Sequence, residues 1–315
     1  MKQYAWHLLG VAALCGWATT VHAQDASKGA ALLADARRAL GGEDKLRAIR
    51  ALDVRGDFKR AAGQTTVSGE LQIRLELPGK LRRDEDLSLP GGGPAVIRTE
   101  VLDGSTVWEG VSGGGGVFIG RFGRGDRAGG GRGAAGADPQ RGLAQIDPAR
   151  LEEAQRRARQ TELSRFMLAW LLTVNGDAAW VATAESPDGK ADVIEITSAN
   201  APAMRIFLDQ NTRMPLMITW QGAAPQLIVR GRRGAAAAGQ EAAGGQRSDA
   251  GQSGNGPAAR REQATLQMTL GDYKAVNGLK LPHLITRAVN DMTIEEWTID
   301  SYRINPSFKA DVFTK

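Results

Sequence analysis

The clearest pattern in the chain is an alternation of apolar and polar side chains between Thr65 and Leu77. The apolar positions are Val67, Leu71, Ile73, Leu75 and Leu77, and the polar positions are Ser68, Glu70, Gln72, Arg74 and Glu76. Side chains two residues apart on a strand share one face of the sheet, so this segment predicts a strand with one apolar and one polar face. Such a strand is typical of an antiparallel sheet that covers a core on one side.

Turn sequences and further alternation predict about eleven strands in all. Pro78-Gly79, Asp103-Gly104 and Asn290-Asp291 each stand between two extended segments, where a hairpin turn fits. The other predicted strands cover 81–89, 96–102, 106–111, 179–186, 192–198, 204–209, 216–221, 226–230, 265–270, 280–289 and 293–302.

Three segments have helical features instead. The first covers 27–40 and ends at Gly41-Gly42, and a short second turn at 43–49 follows it. The third begins with Asp147 as N-cap and Pro148 at the first helical position, and it extends to about residue 172. Its apolar face consists of Leu163, Phe166, Met167, Trp170 and Leu171, and its opposite face carries Arg156, Arg157, Arg159 and Glu162. This stripe fits both a core helix and a helix that covers an apolar cavity.

Strands and helices do not alternate along the chain, as they would around a parallel sheet. The order of elements therefore predicts an α+β fold, in which a single curved antiparallel sheet has helices on its concave side.

The N-terminal segment 1–23 has the pattern of a signal peptide, with Lys2, an apolar run and small residues before Gln24. We expect export and one mature domain over 24–315. An uncleaved membrane anchor and a lipoprotein acylated at Cys15 are the alternatives. Removal of the segment leaves no cysteine and only His283 among the histidines, which excludes disulfides, thiolate metal sites and cysteine nucleophiles.

Two segments, 112–142 and 230–261, are rich in Gly, Ala and Arg. The first has five Arg against two Asp, and the second has six Arg against one Glu and one Asp. The net charge of +5 therefore belongs to these inserts, and the rest of the mature chain is slightly acidic. Their composition predicts disordered loops. Attraction to anionic lipid is the second interpretation, and an exported protein has no evident nucleic-acid partner.

No motif for catalysis or for a cofactor stands out. Phosphate-loop, dinucleotide and GxSxG patterns are absent from the sequence. Neighbouring acidic residues at Asp84-Glu85-Asp86, Glu152-Glu153 and Glu295-Glu296 are interpreted as solvated charges, and His283 as a structural or surface residue. We therefore expect no enzyme activity, no cofactor and no metal. The tryptophans are interpreted as core residues or as the wall of an apolar pocket.

Several segments together resemble the LolA/LolB-like superfamily of periplasmic lipoprotein carriers. The resemblance covers most of 27–313 apart from the two inserts. The segments that carry it are Ala39–Gly42, Leu75–Arg82, Val101–Trp108, Phe207–Leu216 and Asp272–Pro282. It implies an unclosed β-barrel of about eleven strands, with helices that plug the opening over a cavity for acyl chains. Members of this family use an arginine to hold a helical lid shut, and the nearest residues here are Arg74, Glu76 and Arg82.

The predicted function is that of an exported periplasmic protein that binds or carries a lipid, an acyl chain or a lipidated protein. The candidate ligand-binding residues are Leu71, Ile73, Leu75, Trp108, Phe166, Trp170 and Trp180. The first alternative is a cell-envelope interaction protein of the same fold with a filled core and a protein or membrane-surface partner. The second is a hydrolase whose carboxylates converge in space.

Overall fold

The structure is a computed structural model, and it describes residues 23–62, 65–88, 95–113, 148–198, 201–223 and 263–314. Residues 1–22 of the segment predicted to be a signal peptide lie outside these residues. The predicted N-cap Asp147, the predicted strand at 226–230 and nearly all of both inserts lie outside them too. Within them the fold is α+β, with one large antiparallel sheet and three helices.

The helices are α1 (Ala23–Leu40), α2 (Glu43–Arg47) and α3 (Pro148–Leu171). The strands are β1 (Ala51–Ala62), β2 (Thr65–Glu76), β3 (Lys80–Ser88), β4 (Val96–Asp103), β5 (Thr106–Gly113), β6 (Asp177–Ser186), β7 (Gly189–Ser198), β8 (Ala201–Asp209), β9 (Pro215–Ala223), β10 (Gln263–Val276), β11 (Leu279–Val289) and β12 (Met292–Ile304). None of the described helices is long and apolar enough to cross a membrane.

The twelve strands form a single sheet in the order β5-β4-β3-β2-β1-β12-β11-β10-β9-β8-β7-β6. Each strand pairs with its neighbours in sequence except at one seam, where β1 pairs with β12. The edge strands β5 and β6 are not paired with each other, so the sheet is an unclosed barrel. This arrangement confirms the predicted fold class.

Strand β1 was not predicted from the sequence, although it has the alternation of a strand. Leu52, Val54 and Phe58 are buried, and charged residues separate them. The alternation is interrupted at Gly56, where β12 approaches closely. A Cβ atom at Gly56 would lie 2.1 Å from the carbonyl oxygen of Thr298, so the position requires glycine.

The strand pairing places the predicted apolar positions of β2 on one face of the sheet. Leu75 pairs with Leu52 of β1 and Leu81 of β3, and all three are fully buried. We call this face the inner face. Its side chains share one hydrophobic core with α1 and α3, so the two helices cover this face.

The chain after β12 lies against the opposite, outer face. Arg82 of β3 donates a hydrogen bond of 2.8 Å to the carbonyl oxygen of Val312. Phe313 is buried, and it packs edge-on against Phe308. The C-terminal segment 305–314 therefore covers part of the outer face.

Candidate ligand-binding site

The second half of α3 places aromatic side chains against the inner face. The rings of Phe166 and Trp170 are stacked with their centres 4.8 Å apart. Phe166 also contacts Trp297 at 5.9 Å between ring centres, and Trp170 meets Tyr302 edge-on at 6.2 Å. Both Trp297 and Tyr302 belong to β12, so this half of the helix sits over the centre of the sheet.

Five of the seven candidate residues lie together in this core. Leu71, Ile73 and Leu75 of β2 and Phe166 and Trp170 of α3 are all at most 2% exposed. They belong to the same cluster of buried side chains. The alternation of β2 and the stripe of α3 therefore converge on one apolar region.

Trp180 lies on the inner face too, but under α1 at the far edge of the sheet. The Nζ of Lys28 stands 3.2 Å from the centre of its ring. The helix passes so close to β6 that a Cβ at Gly29 would lie 2.9 Å from the backbone nitrogen of Trp180. The indole Nε1 of Trp180 donates a 3.2 Å hydrogen bond to Asp192, and this bond also fixes the orientation of the Trp180 side chain.

Trp108 does not join the other candidates, because it lies on the outer face. It pairs with Val101, which pairs in turn with Arg82, and the guanidinium of Arg82 lies 6.0 Å from the indole ring. The neighbouring Val107 packs against the core instead. The expectation that Trp108 bounds a cavity with Phe166 and Trp170 is therefore inconsistent with the strand register.

The space between α3 and the sheet is largely filled by side chains. A cavity of about 30 Å³ remains beside Leu168, Ile196 and Met204, whereas pockets for small molecules measure roughly 300–1,000 Å³. A larger open depression of about 400 Å³ is lined by α3 residues alone, among them Ala149 and Ala154. The closed arrangement of α3 thus leaves no room for an acyl chain at the small cavity.

The part of α3 up to Glu162 contacts the sheet through charges rather than through apolar side chains. Arg83 of β3 is only 5% exposed and stands at the centre of this group. Its guanidinium forms ion pairs with Glu85, with Glu162 of α3 at 3.1 Å and with Glu295 of β12 at 3.2 Å. The inner face therefore has a buried charged region beside its apolar region.

Further arginines complete this group on both sides. Arg60 of β1 binds Glu85 and Glu295, each at 2.6 Å, and Arg287 of β11 binds Glu295 at 3.0 Å. On the other side, Arg159 of α3 lies within 3 Å of three carboxylates, and Arg98 of β4 pairs with one of them. We call the whole set the ion-pair network: Arg60, Arg83, Glu85, Arg98, Glu100, Glu109, Arg159, Glu162, Arg287 and Glu295.

The ion-pair network shifts the acidity of its own members. Burial alone would raise the pKa of Glu295, but the guanidinium groups around it, Arg83 first, lower that pKa to about 2. Arg83 and Arg159 likewise lower the pKa of Glu162 to about 2 against the effect of burial. Burial dominates at Glu100, so its pKa is raised. The network thus holds Glu162 and Glu295 ionised inside the protein.

The network corrects two interpretations of the sequence. Glu85 and Glu295 are buried in ion pairs, whereas they were interpreted as solvated charges. Arg159 and Glu162 were assigned to the face of α3 away from the sheet, yet both bind the sheet. Only one member of each acidic run turns inward, because neighbours on a strand face opposite sides. The spacing of Arg159 and Glu162 on one helix is a sequence signal for their own pair. No sequence signal marks the pairs that join different elements, because those partners are distant in the chain.

The converging carboxylates do not form a glycosidase-like pair. Each carboxylate of the network has a guanidinium within 4 Å, and Glu85 and Glu295 are only 3% exposed at their side chains. A glycosidase needs two carboxyl groups that face a sugar from opposite sides. This geometry therefore does not favour the hydrolase interpretation.

His283 is packed inside the protein. Its Nδ1 lies 2.7 Å from the carbonyl oxygen of Ile299, and its ring meets Tyr302 edge-on. The hydroxyl of Tyr302 donates to the carbonyl oxygen of Pro282. These contacts fit the structural role expected for His283. Within the described ranges, no three His, Cys, Asp or Glu side chains are grouped as they would be around a metal ion.

No family model and no curated protein matches the chain. Among solved structures, a LolA superfamily protein from Nitrosomonas europaea is 10% identical, with 89% of this chain and 97% of that chain covered and a TM-score of 0.41. A domain described as an outer membrane lipoprotein-sorting protein, from Vibrio parahaemolyticus, is 9% identical, with 92% and 97% covered and a TM-score of 0.40. A DUF1329 family protein from Desulfovibrio piger is 6% identical, with 90% and 96% covered and a TM-score of 0.41.

At these identities and TM-scores, the likeness says nothing about a ligand or a partner. The fold is therefore assigned from the strand order of the protein's own sheet. Its open edges at β5 and β6 and its covering helices match the unclosed barrel with helices that the sequence resemblance implies.

Proposed function

We propose that the protein is an exported envelope protein that binds a hydrophobic ligand, such as an acyl chain or a lipidated protein, between α3 and the inner face. One observation carries the proposal: a single helix covers the apolar region at the centre of the inner face with aromatic side chains, Phe166 and Trp170. The role is binding or carriage in the periplasm, without chemistry on the ligand.

The ligand would take the place of α3 side chains, so α3 must move. Each methylene that leaves water contributes about 0.8 kcal/mol, and a sixteen-carbon chain therefore contributes on the order of 12 kcal/mol before the costs of association. Removing one buried tryptophan from its site costs about 3–5 kcal/mol. An acyl chain is thus large enough to replace the aromatic contacts of α3.

A second candidate is an envelope interaction protein whose core stays filled. The small cavity of about 30 Å³ beside Leu168 favours it, because nothing larger than a few waters fits there while α3 is in place. In this case the protein would act through a protein or membrane-surface partner and would carry no cargo.

Native purification separates the two candidates. The mature protein would be purified from the periplasm and its bound lipid identified by mass spectrometry, with a delipidated sample as the control. Lipid in a stoichiometric amount supports the binding function. Protein that is free of lipid, and that also takes up no added fatty acid or phospholipid, contradicts it and favours the filled core.

The movement of α3 has a test of its own. Arg156 of α3 donates a 3.4 Å hydrogen bond to the carbonyl oxygen of Ser105 in the β4–β5 turn. The double variant Ser105→Cys/Arg156→Cys, joined by a short bis-maleimide, would fix the start of α3 to the sheet. We expect the joined protein to lose uptake of a fluorescent fatty acid, while the same variant capped with N-ethylmaleimide keeps it. Equal uptake by both samples would show that α3 need not move.

A further inference from the structure

Arg165 of α3 is a largely buried arginine without an anionic partner. Its guanidinium lies 4.1 Å from the centre of the Trp220 ring of β9. Its Nε is buried and makes no hydrogen bond. Burial and the nearby Arg287 lower the pKa of Arg165 to about 10, and Glu162 only partly opposes them. A buried donor of this kind is costly unless something accepts from it.

The other arginines of this region are all paired. Arg60, Arg83, Arg98, Arg159 and Arg287 each have a carboxylate within 4 Å, whereas Arg165 has none among the described residues. The ion-pair network holds five guanidinium groups and five carboxylates, so it is neutral without Arg165. Arg165 therefore adds one uncompensated positive charge to the inner face.

Arg165 lies where it could contact the head group of an amphiphile whose acyl chain occupies the apolar region. Three residues further along α3 from Glu162, it lies where the charged region gives way to the apolar region of Phe166 and Trp170. Arg287 is 25% exposed at its side chain and binds only Glu295, so it adds a second guanidinium that solvent reaches. Trp220, which the guanidinium of Arg165 covers, belongs to the buried apolar cluster of the inner face.

We infer that Arg165, with Arg287 beside it, binds the anionic head group, a carboxylate or a phosphate, of an amphiphile whose chain lies under α3. The inference rests on the proposed function and adds the charge of the ligand to it. The anion supplies the missing acceptor for the guanidinium of Arg165, and the adjacent apolar face receives the chain. A hydrophobic ligand without an anionic group would leave Arg165 unpaired.

Matched ligands separate the head group from the chain. The affinity of the mature protein would be measured for laurate, for dodecyl phosphate and for dodecanol, which share one chain. We expect both anions to bind about ten- to a hundredfold more tightly than the alcohol, as for a hydrogen bond to a charged group. Equal affinities would overturn the head-group inference and leave the binding function standing. Binding of none of the three would overturn the binding function itself.

Two variants on the same helix test the residue. Arg165→Gln should remove most of the preference for the anions and keep the affinity for dodecanol, which also shows that the variant folds. Arg165→Lys should retain most of the preference, because it keeps the charge. The matched control is Arg157→Gln, whose side chain is 73% exposed, and it should change neither affinity. A preference that Arg165→Gln leaves unchanged would overturn the assignment of the residue.

A last comparison identifies the source of the anion. Acetate and inorganic phosphate carry the charged groups without a chain, and each would be tested alone at the concentrations used for the amphiphiles. We expect no measurable binding of either, because the chain supplies most of the affinity. Tight binding of inorganic phosphate alone would contradict the inference and indicate a site for a small anion.

Discussion

The two halves of α3 are attached to the same sheet by different physical means. The part up to Glu162, the charged half, binds through Arg159 and Glu162, which pair with charges on β3, β4 and β5. The second half binds through Phe166 and Trp170, which pack on β12. Buried ion pairs are demanding in geometry but contribute little net stability, whereas buried aromatic area contributes much and tolerates small shifts. The difference teaches that the charged half sets where α3 lies and that the aromatic half sets how firmly it is held.

One side chain belongs to both regions. The ring of Trp297 contacts Phe166 on one side, and the guanidinium of Arg83 lies 5.0 Å from its centre on the other. A change in either half of α3 can therefore affect the packing of the other half through Trp297. Substitutions can show how far the two regions act separately.

The largest effect is expected in the aromatic half. Trp170→Ala removes a side chain that is 0% exposed, and we expect the free energy of unfolding to fall by about 3–5 kcal/mol. Denaturant titration would measure it, with Leu151→Ala as the control because Leu151 lies on the same helix and is 44% exposed. Similar losses in both variants would mean that α3 is not held by its aromatic half.

A somewhat smaller loss is expected at the centre of the ion-pair network. Arg83→Met leaves Glu85, Glu162 and Glu295 with only their other guanidinium partners. We expect a loss of about 3 kcal/mol in the same titration, at the lower end of the range for breaking a buried ion pair.

The periphery of the network supplies the control for that substitution. Glu109 is 23% exposed at its side chain and pairs only with Arg159. Glu109→Gln should cost less than about 1 kcal/mol, as for other partly solvated pairs. If Glu109→Gln and Arg83→Met lowered the free energy of unfolding equally, the buried pairs of Arg83 would contribute no more than the partly solvated pair of Glu109.

The smallest effect is a dependence on pH that only the charged half should show. The pKa of Glu162 and of Glu295 is about 2 in the folded protein and 4.5 ordinarily. As the pH falls below the ordinary value, the unfolded chain takes up protons first, so the stability present at neutral pH is progressively lost. We expect each carboxylate to account for on the order of 1 kcal/mol by about pH 4. The raised pKa of Glu100 acts in the opposite sense, because the folded state takes up that proton first.

Unfolding titrations at several pH values would measure this loss. Glu295→Gln should flatten the pH dependence between the ordinary value and pH 2, whereas Trp170→Ala should lower stability equally at each pH. A pH dependence that Glu295→Gln leaves unchanged would assign the acid sensitivity to other groups.

Most of the strands were predictable because their local pattern agrees with their place in the sheet. The alternation of β2 and the turn at Asn290-Asp291 are both realised in the structure. The alternation of β1 could have been found too. Its interruption at Gly56 is not a break in the strand, because β12 approaches this position so closely that only glycine fits. Local patterns are therefore sufficient to predict the strands, but they do not predict which other elements pack against each strand.

The site was predictable only in its apolar part. Leu71 and Trp170 could be expected to face a core because burial is encoded in periodicity. The ion-pair network could not be expected, since its members come from six strands and one helix and no periodicity marks the partners on different elements. The position of Trp108 depended on the register of β5, which a short strand with flanking glycines does not reveal.

The seam between β1 and β12 has a consequence for the order in which the fold forms. Apart from the pair β9–β10, whose strands are separated by residues 224–262, the strands β1 to β5 and β6 to β12 pair as hairpins. These hairpins close quickly because their partners are near in sequence. The seam joins Leu52 to Ile304, so it cannot form before the last strand has been synthesised. Until then the edge of β1 that pairs with β12 remains unpaired, so it can pair with a strand of another chain. A nascent chain therefore exposes this edge of β1 for as long as β12 is missing.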